Sequence, residues 1–152
     1  MPKFESVKRV GHSVDNMFAL VADVERYPEF VPMCEQLTVR SSREKDGRTL
    51  LVADMTVGYM AIRETFTSQI LLDPEGNAIN VTYIDGPFRH LHNRWRFEPA
   101  GGNCDVNFYI DYEFKSRMLG MIMGAVFDQA FRMFTDAFEK RADALYGKPP
   151  AA

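Results

Sequence analysis

Apolar residues recur at spacings of three and four across the last third of the chain, SRMLGMIMGAVFDQAFRMFTDAFEKRADALYG, from Ser116 to Gly147. Leu119, Ile122, Met123, Val126, Phe127, Ala130, Phe134, Ala137 and Phe138 fall on one face of a helix. Asp128, Arg132, Thr135, Asp136, Glu139 and Asp143 fall on the other. Ser116 is a fitting N-cap and Gly147 a fitting stop, and Pro149 and Pro150 bar continuation, so one long helix is predicted. At ~1.5 Å per residue it is about 45 Å long, enough to cross a small domain.

Upstream, Phe4 to Val10 reads as a short strand broken by Gly11 and His12. Ser13 caps an amphipathic helix marked by Val14, Met17, Phe18 and Val21 and ending near Asp23. A second short helix or turn lies in VERYPEFVPMC, punctuated by Pro28 and Pro32. From Cys34 to Phe114 the period becomes two. Leu37 and Val39 open one strand, and Leu51, Ala53, Met55 and Val57 share a face of the next. Ile62, Phe66 and Ile70 follow, then Ile79, Val81 and Tyr83, then Leu91, Asn93, Trp95 and Phe97. Val106, Phe108, Ile110, Tyr112 and Phe114 close the series. Turn signals at Gly58, Asp73 to Asn77, Gly86-Pro87 and Gly101 to Asn103 separate these runs. Loops this short imply an antiparallel meander with one apolar face. The prediction is an α+β fold: a curved antiparallel sheet of six to seven strands, two short helices after the first strand, and the long helix in its grip. One domain spans 1–147, and Lys148 to Ala152 reads as a flexible tail.

Composition narrows the class. A chain of 152 residues with 46% apolar and 26% charged residues is an ordinary globular domain with enough length for a full core. Its net charge of −3 gives no global pull towards nucleic acid, and no DNA partner is expected. Cys34 and Cys104 make no disulfide framework, which points to a reducing compartment. MPKFESVKRVG lacks the apolar run of a signal peptide, and the longest apolar run, Met118 to Phe127, is far shorter than a bilayer span. A soluble, cytoplasmic protein is expected.

Candidate chemistry concentrates on the inner face. Met55, Phe66, Tyr83, Trp95, Phe108 and Tyr112 face a helix rich in Met and Phe. Plain core explains that, and so does a cavity between sheet and helix. Adaptable methionines favour the cavity, as do Glu64, Ser68 and Asn93, which lie in phase with apolar neighbours and need partners. Gly120 and Gly124, each costing ~1 kcal/mol relative to alanine, are read as a site of close helix–sheet packing. His90 and His92 share the outer face with Arg94 and Arg96 but lack a third ligand, so no metal site is expected. Asp105, Asp111 and Glu113 on the next strand are placed to pair with that basic strip; the alternative is contact with RNA phosphates. No GxSxG, HExxH or Cys–His arrangement suggests catalysis, and no acid–base pair stands out.

Four segments together resemble a known family: DVERYPEFVPMC, FTSQI at Phe66 to Ile70, GPFRHLHNRWRFEP, and FxxxFRMFTDAFEKRADALYG. They are similar to the coenzyme-Q-binding protein and ribosome-association toxin family of the START-like, polyketide-cyclase-type superfamily, over about Lys3 to Gly147. Met33 stands where that family usually carries an aromatic residue. The resemblance implies the helix-grip fold and an apolar tunnel for a lipid-like cargo, with ubiquinone foremost, carried without catalysis in support of respiratory electron transport. The ligand-binding residues expected are Phe30 and Val31 at a mouth, and Met55, Phe66, Tyr83, Trp95, Phe108, Tyr112, Met123, Phe127 and Phe131 inside. Ubiquinone is then cargo, and no cofactor, catalytic residue or metal is expected. The toxin branch implies the alternative of binding the large ribosomal subunit and blocking subunit joining. Transient contact with the inner face of a membrane accompanies the carrier reading, and an aromatase or cyclase activity is the third.

Overall fold

The structure is a computed structural model that describes residues 3–147; the tail expected at Lys148 to Ala152 lies outside the described residues. The chain runs β1 (Lys3–Val10), α1 (Val14–Ala22), a 3₁₀ helix (Val24–Glu29), β2 (Cys34–Lys45), β3 (Arg48–Tyr59), β4 (Ile62–Asp73), β5 (Ala78–Asp85), β6 (Phe88–Ala100), β7 (Asn103–Phe114) and α2 (Arg117–Tyr146). Seven strands form one antiparallel sheet in the order β1-β7-β6-β5-β4-β3-β2. Strands β2 to β7 are therefore a simple meander, and β1 returns to pair with β7, Lys3 opposite Asp111 and Val10 opposite Cys104. The β2–β3 hairpin turns on Asp46-Gly47, both with positive φ, as a two-residue type I′ connection requires. α1 and α2 begin as predicted: Ser13 Oγ accepts from Asn16 N–H and Ser116 Oγ from Leu119 N–H, each at 3.1 Å. No helix among the described residues is long and apolar enough to cross a membrane.

α2 lies across the concave face of the sheet, but its two halves are held differently. The C-terminal half is anchored by charge. Lys8 on β1 pairs with Asp136 and, at 3.0 Å, Glu139; His12 meets Asp143 at 2.7 Å, and Arg141 meets Glu29 at 2.7 Å. The N-terminal half is held by apolar packing of Met123 and Phe127, with Phe127 5.3 Å from Phe114 and 6.1 Å from Phe88 between ring centroids.

Three sequence expectations for α2 are corrected. Ile122 is half exposed, at 50%, because it lies about 100° round the helix from buried Met123, outside the stripe of Met123, Phe127, Ala130, Phe131 and Phe138. Thr135, expected on the wet face, is buried on the flank of that stripe. The glycines do not mark close packing: a Cβ on Gly120 would sit an ordinary 3.8 Å from Phe114, and one on Gly124 would meet nothing within 4 Å.

Candidate ligand cavity between sheet and long helix

Side chains from β3 to β7 and from α2 leave a cavity of about 110 Å³. The 3₁₀ helix and the loop after it close one side through Val24, Tyr27, Val31, Pro32 and Met33. That loop is tied to the end of β3, where Gly58 N–H donates to Met33 C=O at 3.0 Å. Met33 has φ 67°, in the left-handed region that a β-carbon makes costly. The departure from the family pattern noted above thus falls on a strained cavity wall.

Seven residues expected to contact ligand do line this space: Val31, Met55, Phe66, Trp95, Phe108, Phe127 and Phe131. Trp95 is set by edge-to-face contacts with Phe108 at 4.8 Å and Phe138 at 4.9 Å. Four others do not line it. Phe30 is clamped 5.0 Å from Phe138 with the Arg141 guanidinium over its ring, so it braces the lid. Tyr83 spends its phenol oxygen accepting from Phe88 N–H at 3.1 Å, which secures the β5–β6 turn. Tyr112 lies fully beneath α2, 5.3 Å from Phe131, and burial pushes its phenol up to about 12. Met123 is core, 1% exposed.

Further residues line the cavity. Phe88, 0% exposed, stacks on Phe114 at 4.8 Å and contributes to the wall. Its inward direction breaks the alternation of Leu91, Asn93, Trp95 and Phe97 because the β6–β7 ladder shifts register between Phe88 and His90. Phe134 and Phe138 were legible as helix-face residues, and Tyr27 as part of the proline-braced segment, but nothing in the spacing singled them out.

Polar groups in the lining are few. Tyr27 donates its O–H to Val21 C=O at 2.5 Å, and burial raises its pKa. Asn93 donates from Nδ2 to Tyr109 C=O at 2.8 Å. Ser68 Oγ is buried with no hydrogen-bond partner. Glu64, expected inward, is half-buried opposite Val57 and does not reach the cavity lining. Neither cysteine lines it; burial pushes both the Cys34 and the Cys104 thiol up to about 11, which keeps them poor nucleophiles at neutral pH. Among the described residues, no three His, Cys, Asp or Glu are grouped to hold a metal.

On the outer face, the expected pairing between the basic strip and the β7 carboxylates takes a different form. Asp111 pairs with His90 at 3.0 Å, Glu113 with Arg89 at 3.8 Å, and Asp105 with Arg9 of β1 at 2.8 Å. Arg94 instead lies 5.3 Å over the Tyr109 ring. The three acids are engaged elsewhere, so Arg94 and Arg96 remain free of ion pairs among the described residues.

Comparison with known proteins places this geometry. The family model for polyketide cyclase / dehydrase and lipid transport matches residues 10–139. A ribosome association toxin, RatA, from Vibrio cholerae is 36% identical over 140 residues, covering 91% of this chain and 94% of the toxin. The mitochondrial coenzyme Q-binding protein COQ10 homolog B of Xenopus laevis is 31% identical over 151 residues; the match covers 96% of this chain and 60% of the frog protein. The crystal structure of the Zhui aromatase/cyclase from a Streptomyces species superposes with a TM-score of 0.80 over 97% of this chain and 98% of that one, and at 18% identity this shows the fold alone. With its family match and these two relatives, the chain belongs to the polyketide cyclase / dehydrase and lipid transport family, in the group that joins the ribosome association toxins and the coenzyme Q-binding proteins.

Proposed function

We propose that the protein binds and carries an apolar small molecule, foremost a polyprenyl quinone such as ubiquinone, without transforming it. The observation that carries this reading is the composition of the cavity wall: aromatic and aliphatic side chains throughout, with Ser68 and Asn93 as the polar exceptions beside an engaged Tyr27. None of these is a general acid or base at neutral pH. Burial is the driving force, at roughly 0.8 kcal/mol per CH₂ withdrawn from water. The relative named as coenzyme Q-binding agrees with it.

The cavity of about 110 Å³ is smaller than the ~300–1,000 Å³ typical of pockets that enclose a drug-sized ligand. Loading therefore requires the wall to yield, and the weakly anchored half of α2 is the part built to do so. It carries both helix glycines and, among the described residues, no ion pair to the sheet. The ends of β3, β5 and β7 and the start of α2 lie at one end of the meander. There Met60, Ile84, Met118 and Met121 are exposed, with Lys115 and Arg117 beside the last two. An apolar rim with adjacent cations suits transient contact with the inner face of a membrane during loading, by a protein otherwise in the cytoplasm. The test is to extract natively purified protein with organic solvent and analyse it by mass spectrometry. Quinone at near-stoichiometric amounts is expected. An empty extract, together with failure to load quinone from micelles, would overturn the proposal.

A second reading, association with the large ribosomal subunit, is favoured by Arg94 and Arg96, free of ion pairs among the described residues on an outer face whose β7 carboxylates are occupied, and by the relatives named for ribosome association. It expects the Arg94→Glu/Arg96→Glu double variant to lose co-sedimentation with large subunits while retaining quinone. Undiminished co-sedimentation removes this face as the contact.

A further inference from the structure

Ser68 is 5% exposed, lines the cavity, and its hydroxyl is one of few buried side-chain oxygens with no hydrogen-bond partner. A buried unpaired hydroxyl costs about 1–3 kcal/mol, so serine there is a liability unless something in the cavity satisfies it. The neighbourhood offers nothing: Phe66 and Ile70 flank it on β4, and Ala53 lies opposite on β3. On the other side Ser68 pairs with Tyr83, whose phenol is engaged with Phe88 N–H. The β4–β5 ladder also shifts register between Thr67 and Ser68. Bulges of this kind re-aim one side chain and recur beside functional sites. Asn93, 9% exposed, lines the same cavity with its amide fixed by the bond to Tyr109 C=O, a second ordered polar group in an apolar wall.

From this we infer that Ser68 is the specificity residue of the cavity, donating its hydroxyl hydrogen to an acceptor oxygen on an otherwise apolar ligand. The inference rests on the carrier reading above and narrows it. Cargo is selected for a ring carbonyl or ether oxygen held at β4, and a pure hydrocarbon of the same size binds without that bond. A quinone ring has such oxygens; an alkylbenzene has none.

The experiment titrates wild type, Ser68→Ala and Ser68→Thr with micellar decylubiquinone and, separately, decylbenzene. Quenching of Trp95, the single tryptophan of the chain and a cavity-lining residue, reports binding. Loss of one neutral hydrogen bond predicts that Ser68→Ala weakens decylubiquinone about five- to tenfold and changes decylbenzene less than about twofold. Ser68→Thr, which keeps the hydroxyl, restores the preference for the quinone. Ser68→Ala also melts at or above the wild-type temperature, because it removes an unpaired buried group. Equal effects on both probes, or none, overturn the inference and leave the carrier reading standing. A fall in melting temperature for Ser68→Ala overturns it too, by showing that the hydroxyl serves the fold. Binding of neither probe by wild type brings down the carrier reading and this inference with it.

Discussion

Ala130→Leu is expected to leave the protein folded and sharply weaken uptake of an apolar ligand. Ala130 lies on the inner stripe of α2, 7% exposed, and lines the cavity. Leucine is among the better helix formers, so the backbone accepts it at little cost. Its added isopropyl group projects into a space of about 110 Å³, where it gains contacts in the empty protein and clashes with any cargo. Evicting that side chain would cost the complex about 1–3 kcal/mol, so quinone binding falls by about fivefold or more while the melting temperature holds or rises. Trp95 fluorescence on titration with decylubiquinone reads the first quantity and calorimetry the second. Wild-type affinity in Ala130→Leu would show that cargo binds elsewhere.

Phe138→Ala is expected to give the largest loss of stability of any single truncation in α2. Phe138, 1% exposed, makes edge-to-face contacts with Tyr27 at 5.3 Å, Phe30 at 5.0 Å and Trp95 at 4.9 Å. It joins three elements: the 3₁₀ segment that closes the cavity, the sheet, and the anchored half of α2. Truncating a buried phenylalanine costs about 3–5 kcal/mol, against a total of roughly 5–15 kcal/mol for a domain. Its midpoint in urea should therefore fall steeply, and its melting temperature by about 10 °C. The lid loses its brace at the same time, so exchange of bound quinone should quicken at temperatures where the variant is still folded. A change below about 1 kcal/mol would mean that the space collapses around the missing ring, and that the lid is held by Arg141–Glu29 instead.

Much of this architecture was written in spacing and punctuation. The two serine caps, the period-two run from Cys34 to Phe114 and the closing glycine of α2 have local causes, and local causes survive in sequence. Glu64, Ser68 and Asn93 could be read as polar residues on an apolar face, yet only two of the three reach the cavity, because Glu64 sits near the open end of β4. Phe88 could not be read, since a register shift inverted its face and no residue type announces that shift. The four expected ligand contacts that fall outside the lining do so for reasons that spacing does not carry: it tells which face a side chain takes, not whether a neighbouring ring, a hydrogen bond or core packing uses that side chain away from the void. Tyr112 and Met123 are covered, whereas Trp95 and Phe127 meet the void.

The pairing of β1 with β7 has a consequence for how the molecule comes together. Lys3 finds Asp111 a full 108 positions along the chain, and Lys8 waits further still for Asp136 on α2. The meander from β2 to β7 is built from neighbouring hairpins and forms through short loop closures, whereas the β1 seam is a long one. β1, made before the six strands of the meander, is thus among the last to be placed, and until then β7 presents an open edge of unpaired backbone amides. Closing that seam is the step of highest sequence separation in the sheet, and it sets assembly slower than the hairpins alone would.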